Sequence, residues 1–483
     1  MNEEKKKHTA AIKKSEDFSE WYTQILINSE FIDYSAVSGC IVFRPDSYFV
    51  WDTLRSAVDA LFKEAGIQNV YFPLFIPEKL LEKEKQHVKG FAPEVAWVTA
   101  AGNTTLNERL AIRPTSETIM YYNYSKWIRS WRDLPLRLNQ WNTVVRWEFK
   151  HPTPLIRSRE MMWNEGHTVF ASKEEAESER DVVLGIYDKA LKEYLALPGI
   201  MGQKTNSEKF AGAVASFSIE HLIPDGWACQ GPDFHLDGQN FAKAFDISFI
   251  NKAGKKEYAY QNTFAISTRE LGVMVAIHGD DKGLIIPPKL ARIQVVIVPI
   301  YNDKNKQKII SYSKDVYDSI KKSFRAHLDD SDAYSPGWKF NEWELKGIPI
   351  RIEIGQKEVD FGGFVAVRRD NGEKTSIKLP DANKKLNELL SSIHDHLYEK
   401  AKKFLQEHTH KVDSHNELKK AIAKGGFAEV PWCGSEECEQ KIKEETSAKA
   451  TNIPFDKVGQ EKDKKCIYCG KKAKHIVDFA RSY

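Results

Sequence analysis

Residues 141–167 read WNTVVRWEFKHPTPLIRSREMMWNEGH. Taken from one residue earlier, Gln140, Asn142, Val144, Arg146 and Glu148 alternate with Trp141, Thr143, Val145, Trp147 and Phe149, which predicts a strand with one core side and one working side. The segment Lys150-His151-Pro152-Thr153-Pro154 carries two prolines, which lack the N–H that a ladder needs, so the chain is expected to reverse there and return through Leu155 to Glu160. The product is a hairpin with Arg146 and Glu148 on one arm and Arg157 and Arg159 on the other. An arginine on an otherwise apolar strand is costly to bury unless it meets an anion, which points to a cavity that receives phosphate. A solvated face with cross-strand ion pairs explains these residues equally well on their own.

Beyond the hairpin, Trp163, Glu165 and His167 alternate onto one side of a further strand. An indole and an imidazole flanking a carboxylate form a small flat-walled slot, suited to a compact apolar ring with a charge at its edge. Upstream, LAIRPTSET at residues 110–118 brings a strand end into a polar turn and then a helix, with Thr115 and Glu117 where the backbone is anchored and the side chains are open. Helix capping is the competing reading for Thr115. The run VVRWEF, the charged proline-containing loop, LIRSRE and WNEGH together resemble the second signature motif of the class II aminoacyl-tRNA synthetases, in the form found in prolyl-tRNA synthetases, and RPTSE at 113–117 matches the same enzymes.

That resemblance implies a proline--tRNA ligase, which activates L-proline with ATP to prolyl-adenylate and passes the prolyl group to tRNA(Pro). It implies that Thr115 and Glu117 hold the ring nitrogen of proline, with Arg146, Trp163, Glu165, His167 and His235 completing the amino-acid site. A secondary ammonium has two protons to place, and a carboxylate with a hydroxyl can accept both. ATP falls to Arg146, Glu148, Arg157, Ser158, Gln230, Ser267 and Arg269 with Mg²⁺, and Arg146 and Arg269 are the catalytic cations. Arg269 lies at the start of a helix within YAYQNTFAISTRELGVMVAIHGDDKGLIIPP (258–288), which resembles the third class II motif, whose arginine holds the γ-phosphate of a bent ATP. Residues 39–77, a short strand, a long amphipathic helix and a strand Val70–Pro73 closed by proline, resemble the first motif, a homodimer interface in the family. QGPDFHLDGQNF (230–241) departs from the family's pattern at Pro232, Asp233 and Phe234; an added carboxylate at Asp233 repels phosphates unless Mg²⁺ or an arginine intervenes.

At 483 residues with 41% apolar content the chain is long enough for several full cores, and a net charge of +3 leaves any RNA-binding surface to local basic patches. No run approaches the roughly 20 apolar residues of a membrane span, and the N-terminal stretch is charged, which predicts a soluble cytoplasmic protein. The expected fold is multidomain, α/β and α+β: a class II catalytic core on an antiparallel sheet (1–288), an α/β anticodon-binding domain with a mainly parallel sheet (289–405) and a small C-terminal zinc-binding domain (406–483). Between the second and third motifs there is no room for an inserted editing domain, so the chain looks like the archaeal and eukaryotic type. In GIPIRIEIG the isoleucines face one way while Arg351 and Glu353 face the other, where solvated strand charge is the default. The similarity of this segment to anticodon-binding domains implies instead that Glu344 and Arg351 read anticodon bases. Four of the six cysteines, Cys433, Cys438, Cys466 and Cys469, form two pairs suited to a structural Zn²⁺. The ending FARSY resembles the family's terminus, whose final tyrosine carboxylate lies near the catalytic site.

Overall fold

Leu136–Val145 and Glu160–Phe170 pair antiparallel in unbroken register from Leu136↔Val169 to Val145↔Glu160, forming the expected hairpin. The structure is a computed structural model that describes residues 12–87, 94–147 and 152–483. Met1–Ala11, the candidate ligand Glu148 and the turn residues Phe149, Lys150 and His151 lie outside the described residues. The return arm differs from expectation: Leu155–Arg159 is irregular, closed by a Thr153–Arg157 bridge, and the ladder begins only at Glu160. Pro154 and the left-handed backbone of Leu155 (φ 64°) prevent an extended conformation there. Arg146 still donates its N–H to the carbonyl of Arg159 at 2.7 Å, so the two arms stay together past the strand ends.

This hairpin lies toward one side of an eleven-stranded sheet. Across it run Thr409–Lys411, Phe427–Trp432, His475–Ala480, Lys449–Pro454, Ile200–Gln203, Ala215–Leu222, Ala228–Gly238, Tyr260–Ala265, then the two hairpin strands, and finally Gln68–Asn69. Every neighbouring pair is antiparallel except the two outermost pairs. The strands of the C-terminal region therefore continue the catalytic sheet, joined through Ile453↔Gln203 and Pro454↔Gly202. Gly202 permits that seam, because a Cβ there would lie 2.4 Å from the carbonyl oxygen of Ile453.

One face of the sheet is covered by the helices Pro45–Glu64, Lys173–Ala190 and Arg269–His278. The first begins with proline in its first turn, and the second with a capping box between Ser172 and Glu175. Phe62, Tyr187, Phe234 and Phe264 meet beneath them, Phe234 stacked on Phe264 with ring centroids 6.0 Å apart and Phe62 tilted on Phe264 at 5.5 Å. Each such fully buried ring stabilises the fold by about 1.5–3 kcal/mol. The expected strand Val70–Pro73 is not one. The ladder covers Gln68–Asn69, and the next residues are stitched by side chains: Gln140 accepts the N–H of Phe72, and Arg113 donates to its carbonyl.

The second domain has a mixed five-stranded sheet rather than a mainly parallel one. Ala326–Leu328, Val295–Pro299 and Ile350–Ile354 run parallel, while Gly363–Arg368 and Lys374–Lys378 are antiparallel additions. Arg351 and Glu353 are not solvated. Each is only 9% exposed, and they bind one another at 2.9 Å. Among the described residues no helix is long and apolar enough to cross a membrane.

Gly166, in the second hairpin strand, tests the packing of this core. An added Cβ would lie 1.9 Å from the ring of Phe264, which Phe62, Tyr187 and Phe234 hold in place. Gly166→Ala is expected to lower stability by about 1–3 kcal/mol, the usual penalty for overpacking, measured as a reduced midpoint of chemical unfolding. An unchanged midpoint would contradict this packing.

Candidate active site

The open side of the hairpin borders a cavity of about 630 Å³. Ten residues singled out in the sequence line it: Thr115, Glu117, Arg146, Trp163, Glu165, His167, Gln230, His235, Ser267 and Arg269. Arg157 and Ser158 do not line it; Arg157 is exposed and Ser158 buried on the irregular return arm.

At the floor, Glu117 and Glu165 are 4% and 2% exposed. Glu165 is held by donors from two places. The N–H and hydroxyl of Ser116 and the hydroxyl of Thr115 come from the turn before the Glu117–Trp127 helix, and the amides of Gln140 and Asn142 come from the facing strand at 3.2 and 2.8 Å. The Thr115 hydroxyl oxygen also lies within hydrogen-bonding reach of Glu117, so its single proton serves one carboxylate or the other. Burial first, and the neighbouring Glu165 second, push the Glu117 carboxyl up to about 7. His167, fully buried under the ring of Tyr121, has its imidazole pushed down to about 4 by desolvation and is neutral. Glu117, Glu165 and His167 bring ligand atoms within 4.8 Å of one another. With five hydrogen bonds already on Glu165, the cluster suits a hydrogen-bonding ammonium better than a metal ion, which needs the carboxylate lone pairs for itself.

Arg146 leaves the strand end with its Nε on the carbonyl of Pro114 at 3.2 Å and its guanidinium over the Trp163 ring, 4.9 Å from the centroid. The Trp163 indole donates to Asn142 at 2.7 Å, which fixes the wall on which Arg146 rests. At the other end of the cavity, Arg269 donates to the carbonyls of Ile156 and Gln230 at 2.9 and 3.0 Å. The site therefore has a cation acceptor at its floor and two braced guanidinium groups along its length.

Sequence reasoning passed over Ser116, Lys204, Glu208 and Phe210, and set Asp233 aside. Phe210 stacks on His235 at 4.7 Å, giving the slot a second flat wall. The loop containing it offered no recognisable spacing. Asp233 faces the cavity and accepts from the Gln230 amide at 2.9 Å. Tyr483 does not line the cavity. It lies behind, its N–H on the Ala228 carbonyl at 3.1 Å and its hydroxyl on Asp225, against the strand that supplies Gln230.

The sequence matches of the chain follow these divisions. Residues 99–278 match the tRNA synthetase class II core domain (G, H, P, S and T), 294–389 the anticodon binding domain, and 415–483 the prolyl-tRNA synthetase C-terminal domain. The proline--tRNA ligase of Agathobacter rectalis is 46% identical over 485 residues, and that of Symbiobacterium thermophilum 44% over 491, each alignment covering 100% of both chains. The crystal structure of a prolyl-tRNA synthetase from Cryptosporidium parvum, complexed with halofuginone and AMPPNP, superposes with a TM-score of 0.95 at 43% identity, covering 99% of this chain and 100% of that one. With a buried anionic floor, two braced arginines and this likeness over its whole length, the chain belongs to the prolyl-tRNA synthetases, class II enzymes that join proline to tRNA using ATP.

Proposed function

We propose that Glu117 and Thr115 take the two protons of the proline ammonium, that Trp163, Phe210 and His235 enclose its ring, and that Arg146 bridges the proline carboxylate and the α-phosphate of ATP. The observation that carries this reading is the pairing of a Glu117 carboxyl pushed up to about 7 with the cavity that opens above it, since a bound ammonium relieves the repulsion between the two buried acids. The proline carboxylate is ionised at neutral pH and needs no general base. Its oxygen attacks the α-phosphorus, the bond to the bridging oxygen breaks, and pyrophosphate leaves; the chain contributes positioning and charge stabilisation. In the second half a ribose hydroxyl of the tRNA terminus attacks the prolyl carbonyl, AMP leaves, and the hydroxyl proton passes to the departing phosphate.

Arg269 is assigned to the outer phosphates, with Ser267 and Gln230 beside it. Arg157 joins it by resemblance, being one residue from the carbonyl that braces Arg269. Asp233 and Glu208 on the cavity wall are the kind of oxygen donor that Mg²⁺ takes, one or two carboxylates together with substrate phosphates, and the ion would neutralise phosphate charge there. This accommodates the carboxylate at Asp233 that departs from the family pattern.

Cys433, Cys438, Cys466 and Cys469 bring their sulfurs within 4.8 Å of one another, with Sγ–Sγ distances of 3.7 Å from Cys433 to Cys438 and 3.6 Å to Cys469. A tetrahedron with Zn–S bonds of about 2.3 Å has edges of about 3.8 Å, so the cluster fits a structural Zn²⁺. Glu344 and Arg351 are assigned to anticodon bases. A homodimer is supported by exposed Val42, Tyr48, Tyr71 and Phe75 in the region that resembles the family's dimer motif. The enzyme is assigned to the cytoplasm, and to the type without an inserted editing domain, since residues 171–268 are all accounted for by elements of the core.

Three measurements test these roles. In proline-dependent ATP–pyrophosphate exchange, Arg146→Ala is expected to lower kcat about 10²–10³-fold, as for loss of one donor to a developing charge, and near-normal exchange would refute its role. Glu117 is protonated below about pH 7 and then cannot balance an ammonium, so the proline KM of the wild type should rise as pH falls through that value. Glu117→Gln should abolish this pH dependence and reduce kcat/KM for proline roughly 10–100-fold, the equivalent of one charged hydrogen bond; a retained pH profile would place the titrating group elsewhere. Purified protein should contain about one zinc per chain, and Cys466→Ser should lose it, with a larger effect on thermal stability than on exchange kcat. Full stability without zinc would overturn the assignment.

A further inference from the structure

The helix whose first residue is Arg269 ends at His278, and the turn that follows grips the second domain. Asp280 and Gly283 exchange backbone hydrogen bonds at 3.1 Å, and the Asp280 Oδ1 also accepts the N–H groups of Lys282 and Gly283. Arg369 spans from the second domain to this turn. Its Nη1 and Nη2 donate to the two oxygens of Asp280 at 2.8 and 2.6 Å, and its Nε donates to the main-chain carbonyl of Glu344 at 2.8 Å. The side chain of Arg369 is 3% exposed. Behind this fork the two backbones touch: Leu284 N–H donates to the Leu345 carbonyl at 3.0 Å and Ile286 N–H to that of Gly347 at 3.2 Å. A Cβ on Gly283 would lie 2.4 Å from the Cα of Leu345, so the seam has no slack.

The same fork borders a small recess lined by Trp343, Glu344, Ile348, Arg351 and Arg369. The Glu344 carboxylate binds Arg351 at 3.1 Å and, from the gripping turn, Lys282 at 3.7 Å. A base edge that donated to Glu344 and accepted from Arg351 would thus compete with Lys282 and pull on the carbonyl that Arg369 holds. At the far end of the ten-residue helix, about 15 Å away at 1.5 Å per residue, Arg269 is braced against Gln230 and Ile156 in the ATP site.

We infer that the Asp280–Arg369 fork is the link by which occupation of the Glu344–Arg351 recess by an anticodon base adjusts the catalytic site, making Asp280 a positioning residue for tRNA-dependent charging. The inference rests on the assignment of that recess to the anticodon. The link consists of one bidentate pair, its guanidinium buried and its carboxylate 38% exposed, feeding an almost wholly buried helix, so it is contiguous. Without tRNA, burial and the hydrogen bonds of Lys14 and Trp21 to the carbonyls of Gly279 and Asp280 hold the helix end, and amino-acid activation does not depend on the fork.

Asp280→Asn keeps an Oδ1 for the turn's N–H groups but sets an amide donor against the guanidinium. In the full-length enzyme, proline-dependent ATP–pyrophosphate exchange should stay within about twofold of wild type, which also reports correct folding. At saturating tRNA(Pro), kcat for aminoacylation should fall about 5–150-fold, the usual range of coupling between two sites, while the KM for tRNA changes little because Glu344 and Arg351 are intact. The penalty for tRNA with an altered anticodon should also shrink in the variant. Wild-type kcat for charging in Asp280→Asn, or an undiminished anticodon penalty, overturns the link. If the wild-type enzyme itself charges the altered tRNA normally, the assignment of the recess fails, and the link fails with it.

Discussion

Two carboxyl groups, Glu117 and Glu165, are buried side by side with no fixed cation between them, and this costly arrangement dictates much of what surrounds it. Glu165 can remain there because five donors converge on it, three from the turn at 115–116 and two from Gln140 and Asn142. Those amides reach it only because the hairpin register places Gln140 opposite Glu165. A slip of one residue would turn Gln140 and Asn142 to the face where Trp141 meets Trp51, and expose the acid to an apolar core. Glu117, with Thr115 beside it, has fewer donors and faces the cavity, which suits the role proposed for it of holding a cation that can donate two hydrogen bonds.

The C-terminal region contributes to this receptor although it supplies no residue to its floor. Its strands extend the central sheet through Gly202, and Glu439, next to Cys438, accepts from Thr205 and Ser207 at the base of the loop that carries Phe210. Phe210 in turn stacks on His235. The cysteine cluster therefore stiffens a cavity wall from outside, while Tyr483 backs the strand that braces Arg269. Three regions that differ in sequence character converge on one rigid enclosure, and the second domain reaches it through Arg369 and the turn at Asp280.

How much of this could be read from the sequence depended on whether a residue's role was local. The alternation around residues 140–145 and 163–167 has a period of two and survives in the structure, so the sides of Gln140, Asn142, Trp163, Glu165 and His167 were legible, as were the long helices with capping signals. Roles set by distant partners were not. Arg351 and Glu353 look like solvated strand charge until Glu344 arrives from a separate helix to share Arg351 with Glu353. Val70–Pro73 has the composition of a strand, but the backbone groups of Phe72 are claimed by the side chains of Gln140 and Arg113. The parallel character of the second sheet was overstated because short strands such as Ala326–Leu328 carry too few residues for a pattern. Phe210 and Lys204 sit in a loop, where no periodicity exists to be read.

The proton balance of proline binding tests most directly whether the floor is a cation receptor poised by repulsion between two acids. Calorimetric titration of the enzyme with proline at pH 7, repeated in buffers of different ionisation enthalpy, gives the number of protons exchanged with solvent. A Glu117 carboxyl pushed up to about 7 is partly protonated there and must ionise to hold an ammonium, so a fraction of a proton should be released per proline bound, decreasing towards zero at higher pH. A binding enthalpy independent of buffer at pH 7, or proton uptake in place of release, would contradict the account.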